Sequence, residues 1–401
     1  MRPLDVGVIG AGTAGAAAAL FLSRQGHKVT VYERVPDPKP VGAGILLQPT
    51  GQAVLRRLGL AEAVIARTAP VESLRCQTVR GRTVFTLRYD RAPGNHEGRG
   101  LHRGVLFEAL YGAVKRAALT LVSGVEVVDL ADAKEGGQWF LTSDGGKRGP
   151  HELCVVADGA RSQLRDDTAI AKRVRPHGWG ALWFVGEDRD KVFKPELHQV
   201  VDGTRRMVGT LPTGLGPTGD QSLVSFFYSV RADRVDAWRG RGVDAWKAEL
   251  RAMNPALEPL LAQVEDLDRV IFSRYVDVKM FPWNTDRVVY LGDAAHAMSP
   301  QLGQGANLAL WDAMVLSDAL AGSDTLAAGL DAYSRTRRAH LGWYQFANRL
   351  LTPFFQSEAA PLGWMRDVFM PWMSRLGPFE RLMVTTLAGV SLGRGQLALP
   401  G

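Results

Sequence analysis

The chain has 401 residues, of which 46% are hydrophobic and 22% charged. Those proportions belong to a folded globular protein and argue against bulk disorder. Its 44 glycines follow no three-residue period, which excludes a collagen-like structure. Lys+Arg outnumbers Asp+Glu by 48 to 41, a net +7, and only ten of the 48 are lysine. With no run of five or more basic residues, dispersed surface arginine is expected and no nucleic-acid partner. The two cysteines, Cys76 and Cys154, make no disulfide framework, so a cytoplasmic setting is expected. No Cys/His cluster has metal-ligand spacing, and no metal is expected. No apolar run reaches bilayer-spanning length.

In chain order, residues 5–9 form an apolar strand, followed by Gly10-Ala11-Gly12-Thr13-Ala14-Gly15 and an alanine-rich helix ending near Gly26. A second strand over 28–32 ends at Glu33, completing a βαβ unit. Residues 36–51 read as an irregular loop, 50–67 as helix, 72–89 as strands, 91–101 as a polar loop, 102–118 as helix and 120–128 as a strand. Leu153–Ala157 is a buried strand leading to Asp158-Gly159. Residues 177–230 alternate and carry aromatics, as in a sheet with one solvated face. Residues 231–265 read as helical and 270–281 as a strand. The apolar strand 288–291 then runs into Gly292-Asp293, a long helix begins near 304, and the last sixty residues are helical.

The Gly10-x-Gly12-x-x-Gly15 pattern has the context of a dinucleotide site: a strand before it, a helix after it, and an acid closing the next strand. Gly10 allows the tight turn. Gly12 lets the backbone approach a pyrophosphate at the helix N-terminus, where unpaired N–H groups and the helix dipole favour an anion. Glu33 can accept from ribose hydroxyls and disfavours a 2′-phosphate, which points to FAD or NAD. Two further motifs follow, Asp158-Gly159-Ala160-Arg161-Ser162, and Gly292-Asp293-Ala294-Ala295-His296 with Pro300 and Gly303-Gln304-Gly305-Ala306-Asn307.

These three motifs, in this order, resemble the class A flavoprotein monooxygenases with the para-hydroxybenzoate hydroxylase fold, over roughly residues 1–340. The resemblance implies an α/β architecture: a Rossmann-like FAD-binding domain, an inserted mixed β-sheet substrate domain, and a C-terminal helical region. The FAD-binding parts would be 1–72, 101–173 and 276–335, the substrate parts 73–100 and 174–275, and the terminal helices 336–401. Carried over residue by residue, it places Gly12 and Ala14 at the pyrophosphate, Glu33 at the adenosine ribose and Arg34 near the adenine. Gly44 lies in a stretch passing the flavin edge, Arg103 reaches the FAD, and the backbone of Val125 meets the adenine. Asp158 belongs to a motif serving FAD and nicotinamide, and Asp293 holds the ribityl chain. A helix starting near Gln304 would also stabilise negative charge on a reduced flavin.

The implied reaction is oxygen insertion into an aromatic or other lipophilic ring, using FAD, NADPH or NADH as a transient co-substrate, and O2, through a C4a-hydroperoxyflavin. Epoxidation and Baeyer–Villiger oxidation are alternatives on the same fold. A membrane-docked flavin-binding subunit is the non-enzymatic one, and an NAD-linked dehydrogenase a further enzymatic one. Trp183, His198, Phe226 and Tyr228 could line the substrate site or form plain sheet core. His296 could be a general base or a packed histidine at its turn. The catalytic base is not assigned, with His198, Tyr228 and His296 as candidates. The C-terminal segment, rich in Trp, Phe, Met and Arg, resembles that of the ubiquinone-biosynthesis hydroxylases. It could touch a membrane peripherally, such as the inner membrane, or pack on the flavin domain or a second subunit. A monomer or homodimer is expected.

Overall fold

The computed structural model of the chain describes residues 1–91, 93–94, 96–134 and 136–400. Residues 92 and 95 of the polar loop 91–101 therefore lie outside the described residues.

The apolar strand Asp5–Ile9 is buried on both faces because it is the centre of a five-stranded parallel sheet. Its neighbours are Leu153–Val156 on one side and Lys28–Glu33 on the other. Val288–Tyr290 and Thr120–Ser123 complete the two edges. The helix Thr13–Arg24 follows the first strand and buries Ala16 to Ala19 completely. Small side chains there let it pack closely against the long helix Gly305–Ala321.

A seven-stranded mixed sheet forms the second layer. Its spatial order is Ile271–Met280, Lys172–Glu187, Ser222–Arg231, Arg206–Leu215, Glu196–Asp202, Ser73–Thr78 and Thr83–Arg88. Over most of residues 177–230 the sheet lacks the solvated face that the alternating pattern predicts. One face is covered by the helices Val235–Gly240 and Gly242–Met253, whose Trp238 and Trp246 are buried against Phe226 and Phe184. The other face looks into a cavity shared with the parallel sheet. Alternation reports that two faces differ, and here the difference is between a helix-packed face and a cavity wall.

A small sheet joins the layers, pairing Gly44–Leu47 and Ala69–Val71 with Gly98–His102. Gly44 N donates to Ser225 Oγ at 2.8 Å, and a Cβ at Gly100 would sit 1.7 Å from the Pro212 carbonyl oxygen. Two glycines thus let the connecting strands lie directly on the large sheet.

Several predicted elements are subdivided. Residues 50–67 form two helices, Pro49–Arg57 and Ala61–Ile65, separated at Gly59. The stretch 120–128 is broken at Gly124, after which Val127–Asp132 joins a separate three-stranded sheet. Three helices close the chain: Leu326–Phe355, Ala360–Met373 and Gly377–Leu387. No helix among the described residues is long and apolar enough to cross a membrane.

Candidate active site

Three glycine-bearing turns far apart in sequence meet at one cavity of about 370 Å³. Gly12, Thr13 and Ala14 supply one wall and Gly159 another. Asp293, Pro300, Gly303, Gly305 and Ala306 supply a third. Their closeness is measurable. A Cβ at Gly292 would lie 3.0 Å from Ala14 Cβ, and one at Gly305 would lie 4.0 Å from Asp293 Oδ1. Arg103, the first residue of the helix Arg103–Arg116, reaches the same cavity over Gly42.

Two helix N-termini open here, Thr13–Arg24 and Gly305–Ala321. Neither has a side-chain cap or an acid in its first turn. Their leading N–H groups therefore await an acceptor, and the two dipoles present positive ends to the same space. A ligand carrying anionic groups at two separated points satisfies both. FAD is such a ligand, with a pyrophosphate near its middle and a pyrimidine that becomes negative on reduction. The buried Oδ1 of Asp158, next to Gly159 of the cavity wall, has no hydrogen-bond partner. The Gln304 amide instead donates to Leu387 O at 2.7 Å, which turns that side chain toward the Gly389 turn. Burial pushes the Asp158 carboxyl above its ordinary range.

Other predicted cofactor residues brace the turns around the cavity. Glu33 accepts from Ala11 N and Val35 N, each at 2.9 Å, so it braces the glycine-rich turn and keeps lone pairs for ribose hydroxyls. Val125 N donates to the Glu33 carbonyl, and Arg34 follows at the exposed end of that strand. Gly10 sits at φ +97° under the first turn, and Gly15 packs behind it. The Asn307 side chain turns away from the cavity wall: Oδ1 accepts from Gln48 N at 2.8 Å and Nδ2 donates to Leu46 O at 2.9 Å. It ties the Gly44–Leu47 strand to the helix.

The predicted catalytic and substrate residues divide by face. Trp183 lines the cavity. Phe226 and Tyr228 do not: they point to the opposite face, 5.6 and 6.5 Å from the Trp246 ring. Tyr228 donates to Glu249 Oε1 there. His198 also turns away, since its neighbours Leu197 and Gln199 line the cavity. The physical reason is register. Trp183 pairs with Phe227, which places Phe227, and not Phe226 or Tyr228, beside it on the cavity face. Their rings are 5.1 Å apart. Of the two sequence expectations for Phe226 and Tyr228, sheet core is the one the register gives, and the cavity face instead carries Phe227, Gln199, Tyr275 and Gln356. Gln356 comes from the end of a helix over 150 residues beyond Trp183, so no local pattern marks it.

His296 is the packed histidine, not an exposed base. It is buried, with Nε2 at 2.6 Å from Asp312 Oδ2. Asp312, an acid inside the apolar run Leu308–Leu316, is fully buried and also accepts from Gly292 N at 2.8 Å and Arg337 Nε at 2.7 Å. Burial pushes its carboxyl up, but His296 and Arg337 outweigh burial and hold it down at about 2. This network fixes the turn that carries Asp293. Arg337 Nη1 also donates to His340 Nδ1, while His340 Nε2–H donates to Gly389 O. Burial and the Arg337 charge depress His340 to about 3.

The folded His340 thus stays neutral while an unfolded one protonates below its ordinary value of 6.5. Its contribution to stability is present above that value and is lost as pH falls toward about 3. Tm should decline across this window, with a shallower slope in His340→Gln. Equal slopes in parent and variant would contradict the assignment.

Residues 3–343 match the FAD binding domain family. The chain belongs to the FAD-dependent class A flavoprotein monooxygenases. A kynurenine 3-monooxygenase from Salinispora arenicola is 30% identical over 356 residues, covering 83% of this chain and 76% of the relative. A 2-heptyl-3-hydroxy-4(1H)-quinolone synthase from Mycobacteroides abscessus is 29% identical over 340 residues, covering 82% and 85%. The structure of Klebsiella pneumoniae HpxO complexed with FAD and uric acid has the same fold. Its TM-score is 0.79 at 20% identity, covering 95% of this chain and 97% of that one. As a monooxygenase of this family the chain is an enzyme with FAD as cofactor and NAD(P)H as transient co-substrate. The readings as a non-catalytic subunit or an NAD-linked dehydrogenase fall away.

Proposed function

We propose that this monooxygenase oxidises an uncharged, lipophilic ring that carries a hydrogen-bonding N–H or O–H group. One observation carries the reading. The large-sheet side of the cavity is walled by Trp183, Phe227, Met207, Leu211 and Leu197, with Gln199, Ser229, Tyr275 and Gln356 as its polar groups. Asp, Glu, Lys, Arg and His are missing from that wall among the described residues.

A charged substrate would enter this end without a counter-ion, at a cost of several kcal/mol. An amino acid such as kynurenine is therefore disfavoured, and a neutral quinolone-like ring of the kind named for the Mycobacteroides relative is favoured. Gln356 donates to Ser229 Oγ at 2.9 Å and leaves its buried Oε1 free to accept from the ring. Burial pushes the Tyr275 phenol up, so it stays protonated and can donate to a ring carbonyl.

Bound FAD supplies the redox chemistry, taking a hydride from NAD(P)H and activating O2. Gly12–Ala14, Glu33, Arg103 and Asp293 would hold it, and the N-terminus of the Gly305 helix would stabilise negative charge on it. Trp183, Phe227 and Met207 exclude water from the substrate end. With no carboxylate or imidazole on that wall to withdraw a proton, the ring must be electron-rich as it binds.

The test compares alkyl-4-quinolones and neutral phenols with kynurenine and anthranilate as stimulators of NAD(P)H consumption. Products are checked for a gain of one oxygen atom. Neutral rings should give a kcat/KM at least about tenfold higher, the equivalent of 1.4 kcal/mol. Equal or better turnover of the carboxylates overturns the reading.

A further inference from the structure

We propose that the outward face of the helix Ala360–Met373 seats in the headgroup–acyl boundary of an anionic lipid bilayer. Trp364, Met365, Val368, Phe369 and Trp372 fall on one side of this helix at i, i+1, i+4, i+5 and i+8. All are exposed, Trp364 by 65% and Trp372 by 64%. Phe379 on the next helix is exposed by 43%.

The orientation is not a matter of which apolar face packs inward, because the inner face is locked by polar bonds. Arg366 is buried on that side and donates to the carbonyl oxygens of Gly203 and Phe354, both at 2.9 Å. Its guanidinium stacks over Phe355 at 5.2 Å. Turning the helix to hide the tryptophans would strand this charge. The apolar face therefore points outward in the folded state, and contiguous exposure of this kind marks an interaction surface.

Charge selects the occupant. Arg375 continues this side one turn after Trp372, and Arg381 follows on the next helix beside the half-buried Glu380; both arginines are exposed and in none of the ion pairs among the described residues. The nearby Asp367 is taken by Arg366. Pairing two copies through this face would bring like charges together, whereas anionic headgroups neutralise them while the Trp and Phe rings enter the interface. The same helices back onto the cavity. Met370 and Met383 pack with Phe355, Leu387, Leu211 and Met207, and the last three line the cavity wall. A membrane-dissolved ring would thus meet the protein on the side from which its site is built. The geometry stands independently of the substrate reading.

The test is sedimentation of the full-length holoenzyme, without substrate, with phosphatidylcholine vesicles containing or lacking phosphatidylglycerol. The protein should pellet with the anionic vesicles. Trp364→Ser/Phe369→Ser/Trp372→Ser should partition at least about tenfold less, with flavin absorbance and Tm unchanged because the side chains are exposed. Arg375→Glu/Arg381→Glu keeps the apolar face and should also lose about tenfold on anionic vesicles. The proposal is overturned if the parent stays in the supernatant, or if both variants bind like the parent. It is equally overturned if the face instead holds a dimer that the triple serine variant dissociates, with no vesicle binding. Vesicle binding without oxidation of any neutral ring would refute the substrate reading and leave this one intact.

Discussion

Asp312→Ala is expected to lower the unfolding free energy by about 3–5 kcal/mol. The carboxylate is fully buried and holds three donors, from Gly292, His296 and Arg337. Its removal leaves the Arg337 guanidinium, itself buried, without its ion-pair partner. The damage also reaches the cofactor end, because Gly292 N anchors the turn whose next residue is Asp293. Thermal and denaturant unfolding measure the loss, and bound flavin per chain reports the turn. The double variant Asp312→Ala/Arg337→Met should regain part of the stability, since it removes the uncompensated charge. A single-variant loss below about 1 kcal/mol, within the range of an ordinary substitution, would show that the network is not the anchor described. The acid response has a definite sign. Asp312 contributes stability above the ordinary carboxylate value of 3.8, and that contribution is lost as pH falls toward about 2.

Gly15→Ala is expected to bind FAD markedly more weakly than the parent. A Cβ at this position would lie 1.9 Å from the Gly10 carbonyl oxygen and 3.3 Å from Ala157 Cβ. Gly10 cannot retreat. It sits at φ +97°, its N–H donates to Tyr32 O at 2.8 Å, and Ala157 O stands against its other side. The methyl must push apart the turn and the helix that present Gly12–Ala14 to the cofactor. Overpacking of this kind costs about 1–3 kcal/mol. Expressed on FAD binding, that is about a 5- to 150-fold rise in Kd. Equilibrium titration with FAD measures it. Gly178→Ala, with open space around its Cβ, should bind FAD like the parent. Parent-like affinity in Gly15→Ala would mean that the turn is far more yielding than its contacts indicate.

What could be read along the chain was local in its physics. The glycine turn, the acid closing the second strand and the later Gly292-Asp293 and Gly303–Gly305 turns each need particular residue types at short spacing, because a backbone must bend sharply or come close to a ligand. Trp183 was identified, but its partners on the same face were not. Choosing between Phe226 and Phe227 requires the pairing register of two strands more than forty residues apart, and a slip of one residue exchanges the two faces. Nothing local in the sequence marks Asp312, because its partners arrive from Gly292, His296 and Arg337. The C-terminal aromatics had two readings, core or surface. Arg366 decided between them by binding the carbonyls of two distant segments, which no periodicity could announce. A dinucleotide site therefore followed from short-range backbone demands written into consecutive residues, and FAD and the architecture followed from the resemblance that the three motifs carry. The substrate wall, the anchoring network and the outward aromatic face arose only when folding set the register and brought remote polar groups within hydrogen-bond reach.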